Sequence, residues 1–168
     1  MNRRARAAAS DRTLTRLFET HGPLVHARAM RLLKNPHDAQ EATQEIFVKL
    51  LRNLDRVDLE RDILPWLFRL TTNYCLNLMR DRSRRAALLD ARVRSVRAHN
   101  PRQHDLVALR FLLSRAKPDQ ARAAVYVYID GMTYDETAEV MQVSRRTVAN
   151  LLDRFRRWAV GELEQVKP

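Results

Sequence analysis

The segment Gly131–Trp158 constrains the fold more than any other part of the chain, because it encodes two helices joined by a tight turn. Thr133 to Met141 makes the first, with Thr137, Ala138 and Met141 inward. Gln142-Val143-Ser144 makes the turn, and Ser144 suits the N-cap of the helix that follows. Arg145 to Trp158 makes that second helix, with Val148, Leu151, Leu152 and Phe155 as its apolar stripe. Its other face carries Arg145, Arg146, Asn150, Arg154 and Arg157. Ala138 is the small residue needed where two helices cross closely, and Val143, Val148 and Leu151 are placed to lock the pair. A second helix held this way can enter the major groove of DNA, its first side chains toward base edges. The plainer alternative is a helical hairpin with a solvated basic face.

Composition extends the helical reading to the whole chain. Only three glycines occur in 168 residues, and Ala, Leu and Arg dominate. The nearest approach to a strand is Ala124 to Ile129, and its flanks read as helix. The expected fold is all-α: two small helical domains joined by a linker, the second containing the helix-turn-helix. One cysteine, Cys75, excludes an internal disulfide and fits a reducing compartment. With no span-length apolar run and no signal core, the expectation is a soluble, cytoplasmic protein without membrane insertion.

Charge is segregated. The net charge is +11, with nine basic and three acidic groups in residues 61–97 and five against one in 141–160, while 36–60 holds three against six. Two basic blocks around an acidic one predict polyanion binding at two places and a different partner between them. The 27 arginines against four lysines reflect a compositional bias, but bias alone does not segregate acids.

Along the chain, residues 1–12 read as a flexible basic arm. Thr13 to Phe18 begins a helix that Gly22-Pro23 interrupts; it resumes with Leu24, Val25, Ala29, Leu32 and Leu33 spaced for burial. Asn35-Pro36 restarts a helix, Asn as N-cap and Pro at the first helical position. That helix, to about Leu54, has Ala39, Thr43, Ile46, Leu50 and Leu54 inward with Phe47 and Leu51 beside them; Asp38, Glu41, Gln44, Glu45 and Lys49 lie outward. Residues 56–64 read as a loop. Pro65 opens a helix to about Arg82, with Leu67, Leu70, Tyr74 and Leu78 inward and Arg69, Asn73, Asn77 and Arg80 on the polar side. Residues 86–102 form the linker, before Leu106–Leu113 and a restart at Lys117-Pro118 that runs to Ile129.

Taken together these residues resemble the extracytoplasmic-function (group 4) sigma factors of bacterial RNA polymerase. In the first half the resemblance rests on Asp38 to Phe47, on Pro65-Trp66-Leu67-Phe68-Arg69-Leu70-Thr71-Thr72-Asn73, and on the basic close Arg80 to Arg85. In the second it rests on Tyr134-Asp135-Glu136-Thr137-Ala138 and Thr147-Val148. It is the order and spacing of these motifs that carries it. The resemblance implies residues 13–85 as the domain that binds core polymerase and reads the promoter −10 element, and 103–164 as the −35 reader. It assigns Asp38, Glu41, Gln44, Glu45 and Lys49 to the β′ clamp helices. It assigns Arg61, Arg69, Asn73, Asn77, Arg80, Arg84 and Arg85 to −10 DNA, where an unstacked base and its phosphates need hydrogen bonds and cations. It assigns Ser144, Arg145, Arg146, Thr147, Asn150, Arg154 and Arg157 to −35 DNA. The β subunit is a further contact, and an anti-sigma factor is left open as a partner.

Two departures stand out. Gln142 replaces the family's usual turn glycine, which predicts an altered turn, because a left-handed conformation costs about 1 kcal/mol more without glycine. Ala149-Asn150-Leu151 replace the usual Lys/Arg-Ser-Arg, moving the expected contacts to Arg145, Arg146, Asn150 and Arg154. The linker is also basic, with Arg92, Arg94, Arg97 and Arg102.

No catalytic constellation, cofactor or small-molecule substrate is expected. His21 and His26, like His99 and His104, are five apart, off the spacing a helical zinc pair needs; His37 stands alone, and no metal site is expected. A stand-alone helix-turn-helix regulator and a polymerase-binding adaptor that reads no promoter remain the competing functions.

Overall fold

The computed structural model describes residues 3–54, 57, 62–89 and 101–166. Among them there is no strand. Contacts divide the chain into two units, Met1–Cys75 and Leu76–Pro168, and the division falls inside the third helix.

In the first unit α1 (Arg3–Leu33) packs chiefly on α2 (Pro36–Arg52). Helix α1 begins ahead of the expected Thr13 start and runs unbroken through Gly22-Pro23, which corrects the interruption read from the sequence. An interior proline costs about 3 kcal/mol. Against it, Leu14 and Leu17 on one side and Val25, Ala29, Leu32 and Leu33 on the other all bury apolar surface. At about 1.5–3 kcal/mol per large side chain, one continuous face outweighs the break. Gly22 helps: without a Cβ it relieves the clash that precedes a proline. Leu24, expected inside, is 46% exposed.

The α1–α2 junction follows the expected chemistry. Lys34 takes φ 54° and closes α1. Asn35 then caps α2, its side chain accepting from the Asp38 N–H at 3.1 Å, with Pro36 at the first turn. Val25, Ile46, Phe47, Leu50, Ile63 and Leu67 form the core of the unit. Phe18 meets Phe47 edge-on at 4.8 Å.

Helix α3 (Leu64–Leu89) is longer than the expected Pro65–Arg82, and the Asp62 carboxylate accepts from the Leu64 N–H at its start. Its inward row also differs. Leu70, Tyr74 and Leu78 are only partly buried, whereas Leu67, Thr71, Thr72, Cys75, Leu76 and Met79 are buried. The threonines can occupy that row because each hydroxyl donates to the carbonyl four residues back, Thr71 to Leu67 and Thr72 to Phe68, so no polar atom is stranded.

In the second unit α7 (Arg145–Val166) packs on α5 (Pro118–Ala124) and α6 (Tyr134–Met141), with α4 (Pro101–Arg115) before them. The expected single helix to Ile129 loosens into a π-helical turn over Val125–Ile129, the same stretch whose alternation looked strand-like. The turn leaves Tyr126 fully buried and Tyr128 45% exposed.

Thr133 and Glu136 form a reciprocal capping box that starts α6. Contrary to the altered turn expected, Gln142 takes the left-handed conformation itself, φ 57° and ψ 45°. The Val143 N–H donates to Ala138 O at 3.0 Å, the usual close of a helix that ends in a left-handed residue. Ser144 caps α7 as expected, accepting from the Thr147 N–H at 3.1 Å. Ala138 of α6 and Val148, Leu152, Phe155 and Ala159 of α7 are buried. Val143, expected to lock the helix pair, is 37% exposed, and Leu151 and Met141 are half-buried, whereas Val148 and Leu152 are fully buried.

Candidate functional site

The acidic patch sits on α2. Glu41 and Gln44 are exposed, Glu45 and Lys49 half-buried, and the Lys49 ammonium lies over the Tyr74 ring at 4.9 Å. Asp38 does not belong to this outer face: it is 3% exposed, turned inward in the first turn of α2. Three exposed residues that the sequence reading did not select, His37, Val48 and Leu51, extend the expected pair Glu41 and Gln44 in its place. His37, Glu41, Gln44, Val48 and Leu51 are all exposed and follow one another at alternating spacings of four and three. That spacing makes a seam suited to another helix, acidic at one end and apolar at the other. The heptad spacing was readable, but Leu51 had been placed beside the inward stripe. Burial, then the nearby Glu41 and Glu45 charges, push the Tyr74 phenol up. His37, Asp38 and Glu41 bring one ligand atom each within 4.8 Å of one another within one turn of a helix, the exposed His37 and Glu41 flanking the buried Asp38.

On α3, Arg69, Asn73, Asn77, Arg80 and Arg84 lie in one row at helical spacing. Arg69 and Asn73 are half-buried; Asn77, Arg84 and Arg85 are exposed. Arg80 is half-buried and donates from Nη1 to Asn77 Oδ1 at 3.1 Å. Burial, then the Arg122 and Arg84 charges, pull the Arg80 guanidinium below its usual range. Arg61 lies outside the described residues, as do Arg92, Arg94 and Arg97 of the linker and His99.

On α7 every expected contact residue is exposed: Ser144, Arg145, Arg146, Thr147, Asn150, Arg154 and Arg157. They do not share one role. Ser144 and Thr147 join hydroxyls at 2.9 Å in the cap. Arg145 turns toward α6, 3.4 Å from the Asp135 carboxylate and over the Tyr134 ring. Arg146, Asn150 and Arg157 stay in one row on the outward side, with Arg154 at its edge. Two residues missed from the sequence complete the surface. Arg156 donates to the Tyr128 hydroxyl at 2.9 Å and the Tyr134 hydroxyl at 3.2 Å, and the Tyr128 bond raises its guanidinium. Asp153 is exposed and pairs with Arg157.

The Sigma-70 region 2 family matches residues 17–85, and the Sigma-70, region 4 family matches residues 106–158. The chain is 30% identical over 148 residues to the ECF RNA polymerase sigma factor SigE of Mycolicibacterium smegmatis, covering 83% of this chain and 57% of that protein. The chain belongs to the extracytoplasmic-function sigma factors.

Other members of this sigma factor family are similar over more of their own length. The ECF RNA polymerase sigma factor SigW of Bacillus subtilis is 26% identical over 79% of each chain. Among solved structures, CnrH in complex with the cytosolic domain of CnrY superposes with a TM-score of 0.55 at 27% identity, over 95% of this chain and 94% of that one. The sigma factor RpoE of Bartonella quintana, solved with the anti-sigma factor NepR, shares the fold with a TM-score of 0.53 at 22% identity, over 92% and 98%. The α2 and α3 rows lie within the region 2 match, and α6 with the α7 row to Arg157 within the region 4 match. No helix among the described residues is long and apolar enough to cross a membrane.

Proposed function

We propose that the chain is a promoter-specificity subunit of bacterial RNA polymerase, acting in the cytoplasm. Residues 13–85 dock on the β′ clamp helices through the exposed seam of α2 and hold the −10 strand along α3. Residues 103–164 read the −35 duplex through α7, with 86–102 as the linker between them and the β subunit as a further contact. The polymerase performs the chemistry and this chain supplies the address. CnrH is solved with the cytosolic domain of CnrY and RpoE with the anti-sigma factor NepR, which supports an anti-sigma factor as a further partner.

The observation that carries the reading is the separation of surfaces: a seam suited to a helical partner on α2, and arginine- and asparagine-bearing rows on α3 and α7. A stand-alone regulator needs no such seam, and an adaptor needs no DNA rows. In vitro transcription on a promoter library, with and without core polymerase, tests it. Initiation from a defined promoter set only when chain and core are both present is the expected result. Tight promoter binding by the chain alone, with no gain from core, would contradict it.

A further inference from the structure

Arg146, Asn150, Asp153 and Arg157 follow one another along α7 at spacings of four, three and four, which makes one row on the side away from Val148, Leu152 and Phe155. The row holds two cations, one amide and, between the amide and the last cation, one acid. Asp153 pairs with the Arg157 guanidinium, its charge also reaches Arg156, and its side chain remains 57% exposed. An acid on a face meant for a polyanion is unfavourable toward every phosphate. It becomes useful only where it meets a donor. In the major groove the cytosine N4 amino group is such a donor, while guanine O6 and N7 and thymine O4 are acceptors; adenine sets its N6 donor beside the N7 acceptor.

We propose that Asp153 is a specificity-determining residue of the −35 reader. Its carboxylate accepts from a cytosine amino group and disfavours base pairs that present acceptors there, while it holds Arg157 in the row. This rests on the reading of α7 as the −35 helix. Asparagine at this position keeps the shape but removes the charge and adds a donor, so the cytosine preference should go while general affinity rises.

The test uses the full chain with core polymerase, on promoter duplexes varied at each −35 base pair and on unrelated duplex, at several salt concentrations. Circular dichroism and melting check that Asp153→Asn and Asp153→Ala remain folded. The expected result is loss of cytosine preference at one base pair by at least about fivefold in both variants, with the other positions unchanged. Binding to unrelated duplex should strengthen, and its salt dependence steepen by about one unit. If the variants strengthened binding to all duplexes but kept every base preference, Asp153 would only trim charge and the inference would be wrong. If the unaltered chain showed no preference anywhere in the −35 element, the reading of α7 would fail first, and the inference with it.

Discussion

Arg28 of α1 is buried against α3 with its guanidinium on a single hydroxyl: Nε and Nη2 both donate to Thr72 Oγ1, at 3.0 and 2.8 Å. The guanidinium plane also lies over the Phe68 ring at 4.6 Å. Thr72→Val keeps the shape and removes the acceptor of two charged donors. The expected loss is about 1.5–3 kcal/mol, read from urea melts. An unchanged midpoint would mean that the remaining contacts of Arg28 suffice.

The exposed seam of α2 sets a different expectation. Val48→Asp and Leu51→Asp change side chains that are 37% and 41% exposed, so the fold should stand. Capture by core polymerase should fall about fivefold or more, the loss expected when a central contact is removed. Asp38→Lys should instead lower the melting temperature, because that side chain is buried. Full capture by both folded seam variants would remove the seam from the docking surface.

Asn73 lies in the α3 row, within the match to region 2. Its proposed partner, an unpaired base edge, exists only after strand opening. Asn73→Ala should therefore reduce permanganate reactivity of the −10 strand more than it reduces closed-complex binding. Equal losses at both steps would point to a structural role.

Cys75 is fully buried, and burial pushes its thiol up from the ordinary 9.0 to about 12. The native thiol should resist alkylation at pH 8 and react only as the chain unfolds. The folded value is the higher one, so the contribution to stability is complete below pH 9 and is lost as pH rises toward about 12. Urea melts across that window should fall more steeply for the parent than for Cys75→Ala.

Within α6, Thr137 is fully buried and its Oγ1 has no hydrogen-bond partner among the described residues. Thr137→Val removes a desolvated hydroxyl without changing the branching at Cβ. The variant should be more stable, by up to about 1–3 kcal/mol in thermal or urea melts.

The sequence was most legible where one residue type decides the geometry. Asn35-Pro36, Lys117-Pro118 and Ser144 mark helix starts by their own chemistry, and all three stand where they were read. It was less legible where packing outweighs a local preference. Gly22-Pro23 reads as a break, yet the surface α1 buries on both sides keeps it whole. Gln142 reads as the wrong residue for its turn, yet in the left-handed geometry its own N–H and that of Val143 both reach carbonyls at the end of α6. Some buried and exposed side chains were misread for a related reason. On α3, counting only large apolar side chains as inward hid the buried Thr71 and Thr72, and on α2, counting only polar side chains as functional hid Val48 and Leu51. The hydroxyl ties of Arg156 join residues 22 and 28 positions apart, which no spacing rule reaches.

Those ties have a bearing on how salt acts. Arg156 joins the π-helical turn, the start of α6 and the body of α7 through neutral phenols. Ionic strength weakens exposed attractions between full charges far more than hydrogen bonds to neutral groups. Raising salt should thus loosen the proposed hold of α7 on phosphate while its posture over α6 persists. The domain would leave DNA already shaped for the next encounter, with no refolding between one promoter and another.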